Sequence, residues 1–501
     1  MRRVPFGVFC LLALLVGTQV LRGQIPPYGG ATDYLRDMAE RRDRLARRMG
    51  TDSVLVVWSA PPRVYSGDTN YEYRQDSNLL YLTGIEQEDT TLVLVSHGSA
   101  PQAYLFVRAP DPLRELWYGH TFTADEMTAR SGITAVFPQR RTELFDAFMD
   151  GVLGGAAAPP AMLERAIEAA RGAGPTKLGI LEAVGGDARG AGSGGSDNGR
   201  WARSMQQSHA GVSLFSGRDM VESLRAIKTP YEQRVLRRSV EISAEAHIEG
   251  MKAARPGRWE YEVEAAIEYW FLEHGALSWG YPSIVGSGPN ATTLHYLKST
   301  RQMADGDLVL VDAAGNFQGL TGDITRTYPV NGRYSPAQRE LYDLVMRAQD
   351  AGIAAARPGS KVSDIERAVR RVVGTGLLSL GLVADPAAAT GDSPEVDLWY
   401  PHGPTHGIGM DVHDPLDGLD PGAAFVIEPG VYIRPDTLER LQSTPSTRAL
   451  AARIAPAVER YRNLGVRLED SFLMTATGPV MLSVKAPRQA AEIEKLVGTG
   501  R

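Results

Sequence analysis

The stretch DGDLVLVDAAGNFQGLTGDITRTYPVNGRYSPAQRELYD, residues 305 to 343, decides the fold. An apolar run from Leu308 to Val311 ends on Asp312, the turn-rich AGNFQGLTG follows, and Asp323 opens a second strand-like run. A hairpin of this kind brings both carboxylates to one end of a sheet. Ser335-Pro336-Ala337-Gln338 then supplies an N-cap hydroxyl, a proline at the first helical position and a capping-box partner, so a helix starts there. Aspartate at a turn is commonplace, and alone this pair signifies no more than that.

Working outward, Thr229-Pro230-Tyr231-Glu232 repeats the helix start, and Leu236, Val240, Ala244 and Ile248 then share one helical face until Pro256-Gly257. The two starts lie 106 residues apart, and the motif AARPG closes both helices at 253–257 and 355–359, 102 apart. Coincidence is the alternative, since Pro-Gly after helices is common, but the pattern favours two similar halves. Each half would supply a helix pair on a sheet, with Asp312 and Asp323 from one and Glu428 and Glu469 from the other. Upstream, VLVVW (54–58), TLVLVS (91–96) and AYLFV (103–107) alternate with helix-like stretches and predict an α/β domain. GGDARGAGSGGSDNGR (185–200) reads as a loop. It contains the GxGxxG-like GAGSGG, but polar NGRWARSMQQ follows instead of an amphipathic helix, which argues against a dinucleotide site. Val383 to Asp397 and Arg434 to Ala457 read as surface loop insertions.

With 501 residues, 43% hydrophobic and 22% charged, the chain suits two or three globular domains. Residues 1–23 have the plan of an export signal: Arg2 and Arg3, the apolar VFCLLALLVG from Val8 to Gly17, and a small residue at Gly23. The apolar stretch is short for a membrane span, and an uncleaved anchor is the alternative. The expectation is therefore an exported protein, periplasmic or secreted, with no stable membrane span after cleavage. The only cysteine, Cys10, lies in this segment, so the mature chain would hold no disulfide and no thiolate metal site. Cleavage would leave 50 Lys+Arg against 59 acids, a net charge of −9 that argues against a nucleic-acid partner.

Glu428 in FVIEPGVYI and Glu469 in VRLEDSFLM both interrupt strand-like apolar runs. Of nine histidines, His402, His406 and His413 fall within twelve residues of Gly-rich sequence. His97, His120, His209, His247 and His274 read as ordinary polar residues, His274 suiting a helix C-terminus. Arg467 should share a face with Glu469, and a buried Arg/Glu pair is the structural alternative for that strand. Four acids beside apolar strands need compensation, because burying a lone carboxylate costs about several kcal/mol. Asp312, Asp323, Glu428 and Glu469 with His406 make a hard, oxygen-rich ligand set for two divalent cations, manganese foremost and cobalt, iron or zinc also possible. Such a pair, ~3.5–4 Å apart, can share a water, lower its pKa and hold it as a bridging hydroxide against an amide carbonyl. Histidines outside that shell would stabilise the oxyanion and protonate the leaving nitrogen.

At these residues the chain resembles the pita-bread metallopeptidases, and among them the aminopeptidase P (Xaa-Pro aminopeptidase) branch. The resemblance runs from about Tyr71 to the C-terminus through YEYRQDSNLLYLTG, LRAIKTPYEQ, YPSIVGSGPNATTLHY, the 305–343 stretch, HGPTHGIGMDVHD, VIEPGVYI and GVRLEDS. With the export signal at 1–23 set apart, it implies an α/β (α+β) chain with an N-terminal α/β domain at 24–225 and a pita-bread catalytic domain of two pseudo-repeated halves at 226–501. It also implies that Asp312, Asp323, His406, Glu428 and Glu469 are the dinuclear ligands and that Glu428 manages the water's proton. By the same resemblance His295, His402 and His413 surround the substrate, and Arg467 orients Glu469 and links toward the acidic pair. The implied substrates are peptides with proline at the second position, and the implied assembly is a homo-oligomer. The resemblance departs at Ala314 and Gly407, where the family often has glycine and a bulky residue. Prolidase, confined to Xaa-Pro dipeptides, is the alternative enzyme, and a non-catalytic peptide- or protein-binding module is the alternative from another class.

Overall fold

Strands that are apolar along their whole length need cover on both faces. In the computed structural model, which describes residues 27–96, 101–172, 174–182 and 197–500, the three upstream runs become Ser53–Trp58, Thr91–Ser96 and Gln102–Arg108. They are antiparallel neighbours inside a six-stranded mixed sheet, extended in parallel by Lys177–Ile180 and Ser213–Ser216 on one side and Ala135–Gln139 on the other. The period-two alternation divides the side chains. Val54, Val56, Val93 and Val95 pack with Phe106, Phe145 and Phe148 on one face. Leu55, Val57, Leu92 and Leu94 on the other join the main core, which continues through Leu236 and Val240 into the C-terminal region.

That region consists of two helix pairs, each on its own small sheets. Pro230–Ala253 is followed by Glu260–Glu273, and Pro336–Ala355 by Val362–Ser379. Both long helices start at the expected capping boxes, Thr229 with Glu232 and Ser335 with Gln338. The first half carries the sheet Ile284–Ser287, Leu308–Asp312 and Thr325–Pro329, and the second carries Ala424–Ile427, Asp470–Thr475 and Gly478–Met481. His274 caps the helix Glu260–Glu273 as anticipated. Among the described residues, no helix is long and apolar enough to cross a membrane.

Three expectations need correction or fall elsewhere. The segments read as loop insertions are helical: Pro386–Thr390 and Pro394–Leu398 form 3-10 turns, and Asp436–Arg440 and Pro445–Arg460 are α-helices. The last starts at a Thr444 capping box and buries Ala451, Ile454 and Val458, a stripe of helical spacing that Pro456 and the Ser/Thr-rich start disguised. A helix, Asp197–Ser208, also covers the whole of NGRWARSMQQ and the end of the segment read as a loop, and Trp201 anchors it, its ring centroid 5.1 Å from that of Phe145 and 5.2 Å from that of Trp58. GAGSGG itself, residues 1–23 and His97 lie outside the described residues.

His247, on Pro230–Ala253, is fully buried, with one ring nitrogen, Nε2, donating to the Ala313 carbonyl at 3.0 Å. Burial, then the charge of Arg326, pushes its pKa from 6.5 down to about 4. Below its ordinary pKa the unfolded chain takes up a proton that the folded chain refuses. Stability is therefore lost as pH falls from about 6.5 to about 4, by at most ~3 kcal/mol. Urea midpoints at pH 7 and pH 4 should fall further for the native chain than for His247→Gln. Equal falls would contradict the assignment.

Candidate metal centre

The four acids meet where the two halves meet. Asp312 ends its strand opposite Thr325, and Asp323 sits two residues ahead of Thr325. The segment between them is more than a turn, since Gly315–Phe317 and Leu320–Thr321 form a small hairpin that also pairs with Ser278–Trp279. In the second half, Glu428 falls between Ala424–Ile427 and Gly430–Tyr432, and Glu469 between Gly465–Arg467 and Asp470–Thr475. Cross-links join the halves at this point. The Glu469 N–H donates to the Thr325 carbonyl at 3.1 Å, and the Asp323 N–H donates to the Ser471 hydroxyl at 3.0 Å. That hydroxyl donates in turn to the Asp323 carbonyl at 2.7 Å. Beneath them Arg326 is wholly buried with all five donors used: on Asp470, and on the carbonyls of Thr325, Glu469, Ala486 and Pro487.

The five singled-out side chains converge. Asp323, His406 and Glu469 offer ligand atoms that all lie within 4.8 Å of one another. His406 Nε2 is 3.6 Å from Asp323, 3.4 Å from Glu428 and 3.9 Å from Glu469. Its other nitrogen, Nδ1, lies 3.0 Å from the Gly407 carbonyl, which assigns the proton there and leaves Nε2 facing the acids. Asp312 joins through Tyr281, whose hydroxyl is 2.6 Å from Asp312 and also bonds Asp323. Arg467, 3% exposed, pairs with Asp312, donates to the Thr325 hydroxyl at 3.0 Å and to the Tyr432 hydroxyl at 3.1 Å. The expected pairing of Arg467 with Glu469 is indirect: Thr325 donates its own hydroxyl to Glu469 at 2.7 Å, and Arg467 reaches the glutamate through it.

Arg467 is one buried cation against four carboxylates, and it does not balance them. Burial raises the Asp323 carboxyl well above its ordinary pKa, with Glu469 and Asp312 adding to the shift; burial, Glu428 and Asp312 do the same to Glu469. Burial would lower the His406 imidazole, but the bond and charge of Glu428, then Glu469, draw a proton onto it and raise it to about 9. Glu428 runs the other way: burial would raise it, yet His406 and His402 hold it below its ordinary value. One oxygen of Glu469, Oε1, is buried with no hydrogen-bond partner in the structure. An orphaned anionic oxygen among three further carboxylates and an imidazole fits hard divalent cations, which would displace the extra protons on binding.

The outer histidines differ from one another. His402 has both nitrogens engaged, Nδ1 at 2.9 Å from the Gly403 carbonyl and Nε2 at 2.9 Å from the Tyr432 hydroxyl. The His413 ring stacks on His406 with centroids 4.0 Å apart, while its edge is open to a cleft of about 620 Å³. His295 is exposed and close enough for its charge to act on His413. The remaining described histidines lie elsewhere: His120 bonds Glu126, and His209 bonds Asp150 and the Met205 carbonyl. Tyr281, Thr325, Arg326 and Tyr432 were not singled out from sequence. All four lie within quoted motifs, Tyr281 in YPSIVGSGPNATTLHY, Thr325 and Arg326 in the 305–343 stretch and Tyr432 in VIEPGVYI, and that is the signal the sequence offers.

Residues 234–476 match the model for metallopeptidase family M24, and residues 38–157 match the aminopeptidase P N-terminal domain. The Xaa-Pro aminopeptidase of Escherichia coli is 32% identical over 93% of this chain and 98% of its own length. Xaa-Pro aminopeptidase 3 of Mus musculus is 30% identical over 89% and 81%. A zinc-substituted aminopeptidase P of E. coli in complex with product superposes with a TM-score of 0.77 at 30% identity, over 93% of this chain and 98% of that one. Proline aminopeptidase P II from Yersinia pestis gives 0.75 at 30% identity, over 92% and 99%.

Proposed function

Because this chain belongs to metallopeptidase family M24 and to its aminopeptidase P branch, we propose that it releases the N-terminal residue from peptides with proline at the second position, as a metal-dependent hydrolase. The observation that carries the site assignment is the cluster of Asp323, His406 and Glu469 with its unpartnered Oε1, which Glu428 joins at His406 and Asp312 joins through Tyr281. Asp312, Asp323, His406, Glu428 and Glu469 would hold two divalent ions, with manganese the proposed pair. Bound there, the ions supply Lewis acidity, lowering the pKa of a shared water and polarising the scissile carbonyl.

The chain's own groups do the rest. Glu428, kept on its ionised side, accepts the attacking water's proton. The nitrogen of the scissile bond belongs to proline and carries no hydrogen, so it must gain a proton to leave as an amine. Glu428 is placed to return the proton it took. His413 and His295, both exposed, donate hydrogen bonds to the carbonyl as it gains charge. Arg467 and Tyr281 hold Asp312 through its two different oxygens, and Tyr432 fixes the His402 ring. Division of the chain near residue 225, export through residues 1–23 and assembly as a homo-oligomer belong to the same proposal. Prolidase is the less favoured reading, since an aminopeptidase P N-terminal domain is present. Manganese-loaded protein should release arginine from Arg-Pro-Pro, read by mass spectrometry. Cleavage confined to Gly-Pro would contradict the proposal.

A further inference from the structure

The loop from His406 to Asp414 carries the stacked pair His406 and His413, and it is closed on itself. The Gly407 carbonyl accepts from the Asp414 N–H at 2.9 Å while it also receives the His406 Nδ1 proton. The orientation of His406 and the position of the residue after His413 thus rest on one oxygen. Asp414 is almost wholly buried and is held from outside the loop. Lys228 Nζ donates to its Oδ2 at 2.7 Å and Arg225 Nη2 to its Oδ1, while Arg225 Nη2 also meets Asp411 Oδ2 at 2.6 Å.

Those cations lie at the end of the helix Arg218–Ala226 and in the turn after it, and the N-terminal region holds both Arg225 and the loop. Asn78 accepts from Arg225 Nη1 at 2.7 Å, Ser77 donates to Asp411 at 2.7 Å, and Arg74 donates to the Met410 carbonyl at 2.8 Å. There is no slack at the contact, because a Cβ on Gly409 would lie 2.4 Å from Asp414 Oδ2 and 2.9 Å from Lys228 Cε. Buried charges paired this tightly fix one geometry, since any displacement leaves an ionised group unpaired.

We propose that Arg225 and Lys228, acting through Asp414, are positioning residues that hold His413 against His406, so that the N-terminal region sets the geometry of the catalytic histidines. The inference rests on the reading of His413 as a group that touches substrate. It accounts for a buried charge cluster with no part in metal binding, placed on the wall of the cleft beside His413.

A double-mutant cycle on metal-saturated enzyme tests it, with kcat and KM measured on an Arg-Pro-Pro peptide for the native chain, Asp414→Asn, His413→Ala and the double variant. Asp414→Asn should lower kcat about 10-fold, the low end of what an orienting partner contributes, with KM nearly unchanged. In the His413→Ala background the same change should cost less than about 2-fold, because its route of action has been removed. An equal cost in both backgrounds, or no cost at all, overturns the inference while leaving the function intact. A silent His413→Ala overturns the reading of His413 itself, and the inference with it. Should Asp414→Asn not fold, Arg225→Lys, which keeps the charge and loses the fork, is taken through the same cycle with the same criteria.

Discussion

Replacing Asp323 with alanine is expected to reduce turnover about 10³-fold or more, because a divalent site that supplies several kcal/mol of transition-state stabilisation loses a ligand at its centre. Asp323 lies in the cluster with His406 and Glu469 and shares the Tyr281 hydroxyl with Asp312, so no neighbour can take its place. The same variant should not be less stable when metal-free. The Asp323 carboxyl is raised in the fold by burial and by Glu469, so its contribution to stability is present below the ordinary carboxylate pKa and is lost as pH rises through the folded value. At pH 8, far above its ordinary pKa, the buried carboxyl opposes folding of the metal-free chain, and Asp323→Ala removes that opposition. Chelated Asp323→Ala should therefore melt at or above the chelated native protein at pH 8, and the advantage should vanish near pH 4. An inactive variant that melts well below the native chain at pH 8 would mean that structural collapse, and not ligand loss, explains the inactivity.

The second large effect is expected at Arg467. It is buried among Asp312, Thr325 and Tyr432, and its backbone N–H donates to the Thr327 hydroxyl at 3.1 Å. Truncating one partner of a buried pair leaves an uncompensated charge at a cost of ~3–5 kcal/mol. Arg467→Met should lose stability of that order, read from urea midpoints. It should also bind metal about 10–100-fold more weakly, because Asp312 loses the group that orients it. Arg467→Lys restores a charge but cannot reach the carboxylate and two hydroxyls at once, so it should recover only part of both losses. Native metal affinity in Arg467→Met would contradict the link from Arg467 to Asp312.

Much of the arrangement is legible in the sequence. The helix starts at Thr229 and Ser335 are local chemistry, complete within four residues, and both form as read. The runs at 54–58, 91–96 and 103–107 are too apolar for anything but a sheet covered on both faces. The four acids lie together because each ends a buried strand or sits between two, and His406 reaches them from the Gly-rich loop. What escaped notice depends on partners far away in the chain. Arg326 looks like any arginine until Asp470 and four carbonyls surround it. Thr325 is an ordinary strand threonine until Glu469 and Arg467 share its hydroxyl. Pro445–Arg460 was read as a loop because Pro456 and the Ser/Thr-rich start carry breaker signals, while the apolar stripe that opposes them is only three residues.

Cations must balance the converging acids, and metal titration of the chelated protein tests this most directly. Purified chain would be stripped, manganese added in measured steps, and bound metal and Arg-Pro-Pro cleavage followed together. Activity should be absent without metal and should return as metal fills the site, saturating at two equivalents per chain. Undiminished cleavage by protein shown to be metal-free would contradict the central claim.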